Sequence, residues 1–118
     1  MYKESNTIEL KAKLIDEVKE QIVAFLNTID GTIYIGIKDD GTIIPITDSK
    51  ERDMLDLKVG NWIQEAFYPQ PSGLITHFFN NDNILVIEIK KGNQRPYYIK
   101  ERGPRPSGVY KRIGSSIR

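Results

Sequence analysis

Three carboxylates and one basic, aromatic run carry whatever chemistry this sequence can do. Glu4, Glu9 and Asp39, with Lys11 beside them, fall at the expected ends of neighbouring strands. Carboxylates so placed can hold a divalent cation, Mg²⁺ or Mn²⁺, which polarises a phosphate and activates water. Spacing alone does not bring them together, and acids at strand ends are more often plain solvated residues. The second group is Lys90, Lys91, Arg95, Tyr97, Tyr98, Lys100, Arg102, Arg105, Tyr110, Lys111 and Arg112. Lys and Arg neutralise phosphates, and Tyr rings stack on exposed bases. The Pro- and Gly-rich loop bearing Arg102 and Arg105 has the make-up to enter a groove. The alternative is a solvated positive hairpin whose Tyr rings pack on the core.

The net charge of +1 hides an asymmetry. Residues 1–59 carry 8 Lys and Arg against 12 Asp and Glu, and residues 60–118 carry 9 against 4. All the basic residues of the second half lie from Lys90 onward, so the C-terminal third favours polyanions. Other chemistries find no support. There is no Gly-x-x-x-x-Gly-Lys-Ser/Thr and no Gly-x-Gly-x-x-Gly pattern, so ATP hydrolysis has no motif. His77 is the only histidine and reads as structural, without a partner for zinc or a triad. The absence of cysteine excludes disulfides and thiolate metal sites and is compatible with a reducing cytoplasm, the expected location. No run of about 18 apolar residues predicts a membrane span.

These groups need a frame, and 118 residues supply one domain. Its centre is Ala24 to Gly41: the end of an amphipathic helix, a reversal at Asp30-Gly31, a buried strand Thr32 to Ile37 and a hairpin turn at Asp39-Asp40-Gly41. Gly31 is expected to take the positive φ that ends the helix. Thr7 to Lys11 alternates as a short strand, with Ile8 and Leu10 facing one way and Glu9 and Lys11 the other. The first helix is predicted over Leu14 to Ile29, with Leu14, Val18, Ile22, Phe25, Leu26 and Ile29 inward and Gln21 on the polar side. Thr42 to Ile46, broken by Pro45, reads as an edge strand. Asp48 and Glu51 form a capping box that opens a second helix to about Phe67, weakened at Gly60. Strands follow at Leu74 to Phe79, Ile84 to Lys90, Tyr97 to Lys100 and Val109 to Ile113, and Gly114 to Arg118 reads as a turn into a further helix. The fold class is therefore α+β, a mixed sheet with two main helices packed on it. A helix that starts at the last residues predicts an N-terminal piece of a longer protein.

Three stretches together resemble one family. Glu4-Ser5-Asn6-Thr7-Ile8-Glu9-Leu10-Lys11 resembles the opening Glu-x-x-x-x-Glu-Phe-Lys of the Schlafen AlbA_2 domain. Ala24-Phe25-Leu26-Asn27-Thr28, Gly31 to Ile37 and Asp39-Asp40 resemble its Ala-Phe-Ala-Asn-Thr-x-Gly-Gly-x-Leu-x-Ile-Gly-Val-Asp-Asp core. Tyr110-Lys111-Arg112-Ile113-Gly114-Ser115-Ser116 resembles its closing Tyr-x-Arg-x-Gly-Ser-Ser. The matches stand in family order across residues 1–118. Asp30 replaces the first Gly of the pair, Leu10 the commoner aromatic, and Lys38 shifts the Asp39 match by one residue.

The resemblance implies a DNA-binding domain at the N-terminus of bacterial proteins described as transcriptional regulators or helicase-related. Binding would need no cofactor and would use Lys91, Arg95, Lys100, Arg102, Arg105, Tyr110, Lys111 and Arg112. The alternative comes from animal Schlafen proteins, which cleave structured RNA with two Glu and one Asp. Those fall on Glu4, Glu9 and Asp39, implying a Mg²⁺- or Mn²⁺-dependent endoribonuclease. A third, non-catalytic reading is a protein-interaction or homodimerisation module pairing between chains through an exposed edge such as Thr42 to Ile46.

Overall fold

Hydrophobic periodicity sets the two layers. The computed structural model describes residues 2–117. Its elements are β1 (Ile8–Lys11), α1 (Glu17–Thr28), β2 (Gly31–Ile35), α2 (Ser49–Glu65), β3 (Phe67–Tyr68), β4 (Ile75–Phe79), β5 (Leu85–Ile89), β6 (Tyr98–Ile99), β7 (Arg112–Ile113) and β8 (Ser116–Ile117), with a 3₁₀ turn at Lys100–Arg102. The main sheet runs β1-β2-β5-β4. β1 lies parallel to β2, and the other pairs are antiparallel. The expected α+β architecture, a mixed sheet carrying two helices, is what the chain forms.

Alternation divides the sheet into two faces. Ile33, Ile35, Leu85, Ile87 and Ile89 join Val18, Ile22, Phe25 and Leu26 of α1 and Val59 and Trp62 of α2 in the main core. Leu10, Ile37 and Ile84 form a second, small cluster under Tyr2, Ile8 and Tyr34 on the opposite face. Glu9 alternates with Leu10, so its carboxylate enters the layer beneath α1. α1 is buried through Gln21, Ile22, Val23, Ala24, Phe25 and Leu26, because β6 and β7 cover the side that the sheet leaves open.

Several boundaries differ from expectation. α1 begins at Glu17, and Gln21 is buried rather than on the polar side. Gly31 is an ordinary strand residue; a Cβ there would overlap the Phe25 ring, so close approach, not a positive φ, demands glycine. The positive φ falls at Gly36 and at Gly41, which closes the Asp39-Asp40 turn by donating to the Lys38 carbonyl at 2.9 Å. Thr42 to Ile46 is not a strand. Ile43 makes one isolated bridge to Ile37, and the Ile46 N–H turns to the Asn83 carbonyl. Gly114, at φ 62, turns the chain back into β8 and not into a helix; Arg118 lies outside the described residues. Asp48 caps α2 as predicted, its Oδ2 accepting from the Glu51 N–H at 2.9 Å, but the reciprocal bond of a capping box, from the Asp48 N–H to the Glu51 side chain, is not formed. His77 Nδ1 lies 2.7 Å from Asp56 Oδ1 of α2, close but without the alignment of a hydrogen bond. Among the described residues, no helix is long and apolar enough to cross a membrane.

Candidate functional site

The carboxylates are positioned by β1 and by the turn after β2. Glu9 is 5 % exposed. Its Oε1 accepts from Arg112 Nη1 at 2.8 Å, and its Oε2 lies 3.5 Å from Lys11 Nζ. Burial raises the Glu9 pKa above the ordinary carboxylate range, Arg112 opposes the rise, and the neighbouring Glu4 carboxyl adds to it. Glu4 Oε2 also accepts the Leu10 N–H at 3.2 Å. Glu4 and Glu9 are thus brought together. Asp39 is not brought to them; it sits exposed on its turn, lining a shallow hollow with Ala12, Lys38 and Asp40. Among the described residues no three His, Cys, Asp or Glu side chains gather closely enough to hold a metal ion. The three carboxylates do not fit a shared Mg²⁺ or Mn²⁺ site.

The basic run divides into free and committed residues. Arg112 is 4 % exposed, so its expected place at a nucleic-acid interface is corrected. Its Nε donates to the Asn6 carbonyl, Nη1 to Glu9 and Gln21, and Nη2 to the Ser5 and Ile8 carbonyls, all within 3.1 Å. The guanidinium also lies 4.6 Å from the Phe25 ring centroid. A group this occupied has no donor left for phosphate. Arg102 is half-buried and donates to Glu20 Oε2 at 2.9 Å and to Tyr110 Oη at 3.2 Å. Tyr97 is core, 2 % exposed, and offers no stacking face.

Arg95, Tyr110 and Lys111 come together. With Asn27, Pro96 and Val109 they line a hollow of about 340 Å³. Arg95 and Lys111 are exposed, as are Lys91 and Arg105 nearby in the chain. Lys100 borders a different groove with Lys19, Trp62 and Glu65. The hollow owes its shape to α1. Asn27 Nδ2 donates to the Tyr97 and Tyr110 carbonyls at 2.9 and 2.8 Å, and Asn27 Oδ1 accepts the Tyr97 N–H at 2.7 Å. Thr28 Oγ1 accepts the Arg112 N–H at 2.8 Å. Sequence reading missed these clasps, along with Gln21 and Glu20. The one available signal was a pair of short polar residues closing the apolar run 22–26 of the helix.

The comparisons agree with this architecture. The crystal structure of the DIP2311 protein from Corynebacterium diphtheriae superimposes with a TM-score of 0.60 at 16% identity, over 96% of this chain and 22% of that one. The chain therefore spans about a fifth of that protein's length. The solution structure of the N-terminal domain of a Nitrosomonas europaea protein related to the ATP-dependent DNA helicase RecG gives a TM-score of 0.57 at 22% identity, covering 92% and 79%. At these identities the likeness establishes the fold alone. No curated protein matches the sequence. The profile described as Schlafen, AlbA_2 matches residues 4–118, and the chain belongs to the Schlafen AlbA_2 family.

Proposed function

We propose that this chain is a nucleic-acid-binding domain, with duplex DNA the favoured target, serving a bacterial transcriptional regulator in the cytoplasm. The observation that carries this reading is the hollow where Arg95 and Lys111 flank Tyr110, with exposed Lys91 and Arg105 in the same segment. Two cations beside a half-buried ring suit a phosphate and its sugar, and extra cations track a backbone. The relation of one structural neighbour to a DNA helicase supports it. Binding needs no cofactor and no membrane. Fluorescence anisotropy with labelled duplex DNA tests it. The expected result is affinity that falls steeply with salt and is lost in Arg95→Glu/Lys111→Glu. Unchanged affinity in that variant overturns the reading.

The endoribonuclease reading rests on the closeness of Glu4 and Glu9. The Arg112 and Lys11 contacts of Glu9 and the separate position of Asp39 count against it. Chelator-sensitive cleavage of structured RNA, abolished by Asp39→Asn, would restore it.

A further inference from the structure

The main sheet has two border strands, and only one is closed off. At β1, the Glu4 carboxylate accepts the Leu10 N–H, the Ser5 carbonyl accepts the Ile8 N–H, and Arg112 Nη2 donates to the Ile8 carbonyl. Those contacts occupy three of the four outward groups of Ile8 and Leu10 that another strand would use. β4 is different. Lys90 N–H donates to the Leu74 carbonyl and Asn80 N–H to the Ile84 carbonyl, so the even-numbered residues of β4 bond to β5. Alternation then turns the N–H and C=O groups of Ile75, His77 and Phe79 away from the sheet. Among the described residues, none of these groups has a hydrogen-bond partner.

Nothing in β4 discourages pairing. Ile75-Thr76-His77-Phe78-Phe79 contains no Lys, Arg or Pro, and it pairs with β5 over five residues without a bulge. Such an edge is a template for another strand. Phe78, beside it on the open face, is 45 % exposed. On the helix face, α2 leaves a groove of about 380 Å³ between Asp53, Asp56 and Phe79. Leu57 on the outer side of α2 is 65 % exposed. Gly60, one turn after Asp56, has no atom within 4 Å of where its Cβ would be. No contact within the described residues requires glycine there, although it costs the helix about 1 kcal/mol relative to alanine.

We propose that β4 pairs antiparallel with β4 of a second copy about a two-fold axis through His77, joining two four-stranded sheets into one of eight strands. Three features favour a second copy over another partner. A two-fold contact must be self-complementary, and the outward groups of Ile75, His77 and Phe79 place His77 opposite its own mate as a hydrogen-bonded pair. Self-pairing sets like residues near one another, which charged strands resist; β4 has no Lys, Arg, Asp or Glu, and each His77 carries Asp56 at 2.7 Å. A five-residue edge alone buries less than the roughly 1,200–2,000 Å² of a stable interface, and the flank of α2 at Leu57 and Gly60 supplies more. Because β1 is capped, assembly stops at two chains instead of running into a filament.

Sedimentation equilibrium of the purified chain, from low micromolar to several hundred micromolar, tests the proposal. The expected result is a monomer–dimer equilibrium whose dissociation constant rises at least about tenfold in Phe78→Lys and in Leu57→Glu. Circular dichroism checks that each variant folds, and if one does not, the other decides. A monomer at every concentration, an open-ended polymer, or a dimer unchanged by the folded variants would overturn it.

Discussion

Arg112 shows how one side chain serves as architecture in a segment that otherwise reads as a phosphate-binding surface. Its five N–H groups meet five acceptors on four sequence-distant positions and Gln21. Removing it leaves Glu9 charged and buried. Arg112→Ala is expected to lose about 3–5 kcal/mol in urea denaturation. Arg112→Lys should recover little of this, because an ammonium has three donors and no planar fork. Glu9 adds a pH dependence of definite sign. Its pKa in the folded state is raised, by burial first, above the ordinary value of 4.5. The folded protein therefore holds a proton that the unfolded chain releases, and stability declines as pH rises from about 4.5 through the folded value. Glu9→Gln should flatten the stability curve across that window, as melting temperature against pH will show. An unchanged slope would mean that another group titrates there.

At the scale of elements, α1 is the post to which the C-terminal segment is tied. Asn27 reaches partners 70 and 83 residues away with three hydrogen bonds. Asn27→Ala leaves the Tyr97 N–H and two carbonyls unpaired and is expected to cost about 3 kcal/mol. Hydrogen exchange should rise from Tyr97 to Tyr110, and DNA affinity should fall although Asn27 needs to touch no phosphate. The apolar stripe of α1 and the alternation of β2 were legible because both are periodic over several residues. Asn27 and Thr28 were legible only as a helix end, since their partners lie beyond any local pattern. Thr42 to Ile46 misled because Ile43, Ile44 and Ile46 have strand composition, while the fold gives them one isolated bridge, with the Thr42 carbonyl and Ile44 N–H bonded back to Lys38 and Gly36, before Ile46 turns to Asn83. β8 escaped because two residues after Gly114 carry no period.

At the scale of the molecule, the linear charge asymmetry overstates the field at the surface. Folding uses carboxylates of the N-terminal half to neutralise cations of the C-terminal half: Glu20 takes Arg102, and Glu9 takes Arg112. Lys100 is exposed on a separate groove, exposed Lys90 lines another hollow with Tyr34 and Glu88, and Arg118 lies outside the described residues. Lys91, Arg95, Arg105 and Lys111 remain exposed and without an ion pair among the described residues. This count fixes the expected salt dependence. Four phosphate contacts give a slope of log K against log salt of about −3.6 for duplex DNA, and all nine basic residues would give about −8. Anisotropy titrations at a series of KCl concentrations measure it. Lys111→Ala should reduce the slope by about 1 and weaken binding evenly across sequences, as loss of a backbone contact does. Arg102→Ala should leave the slope nearly unchanged, because its charge is already answered by Glu20. A steeper wild-type slope that both variants reduce equally would place Arg102 on the DNA and require the Glu20 pair to open on binding.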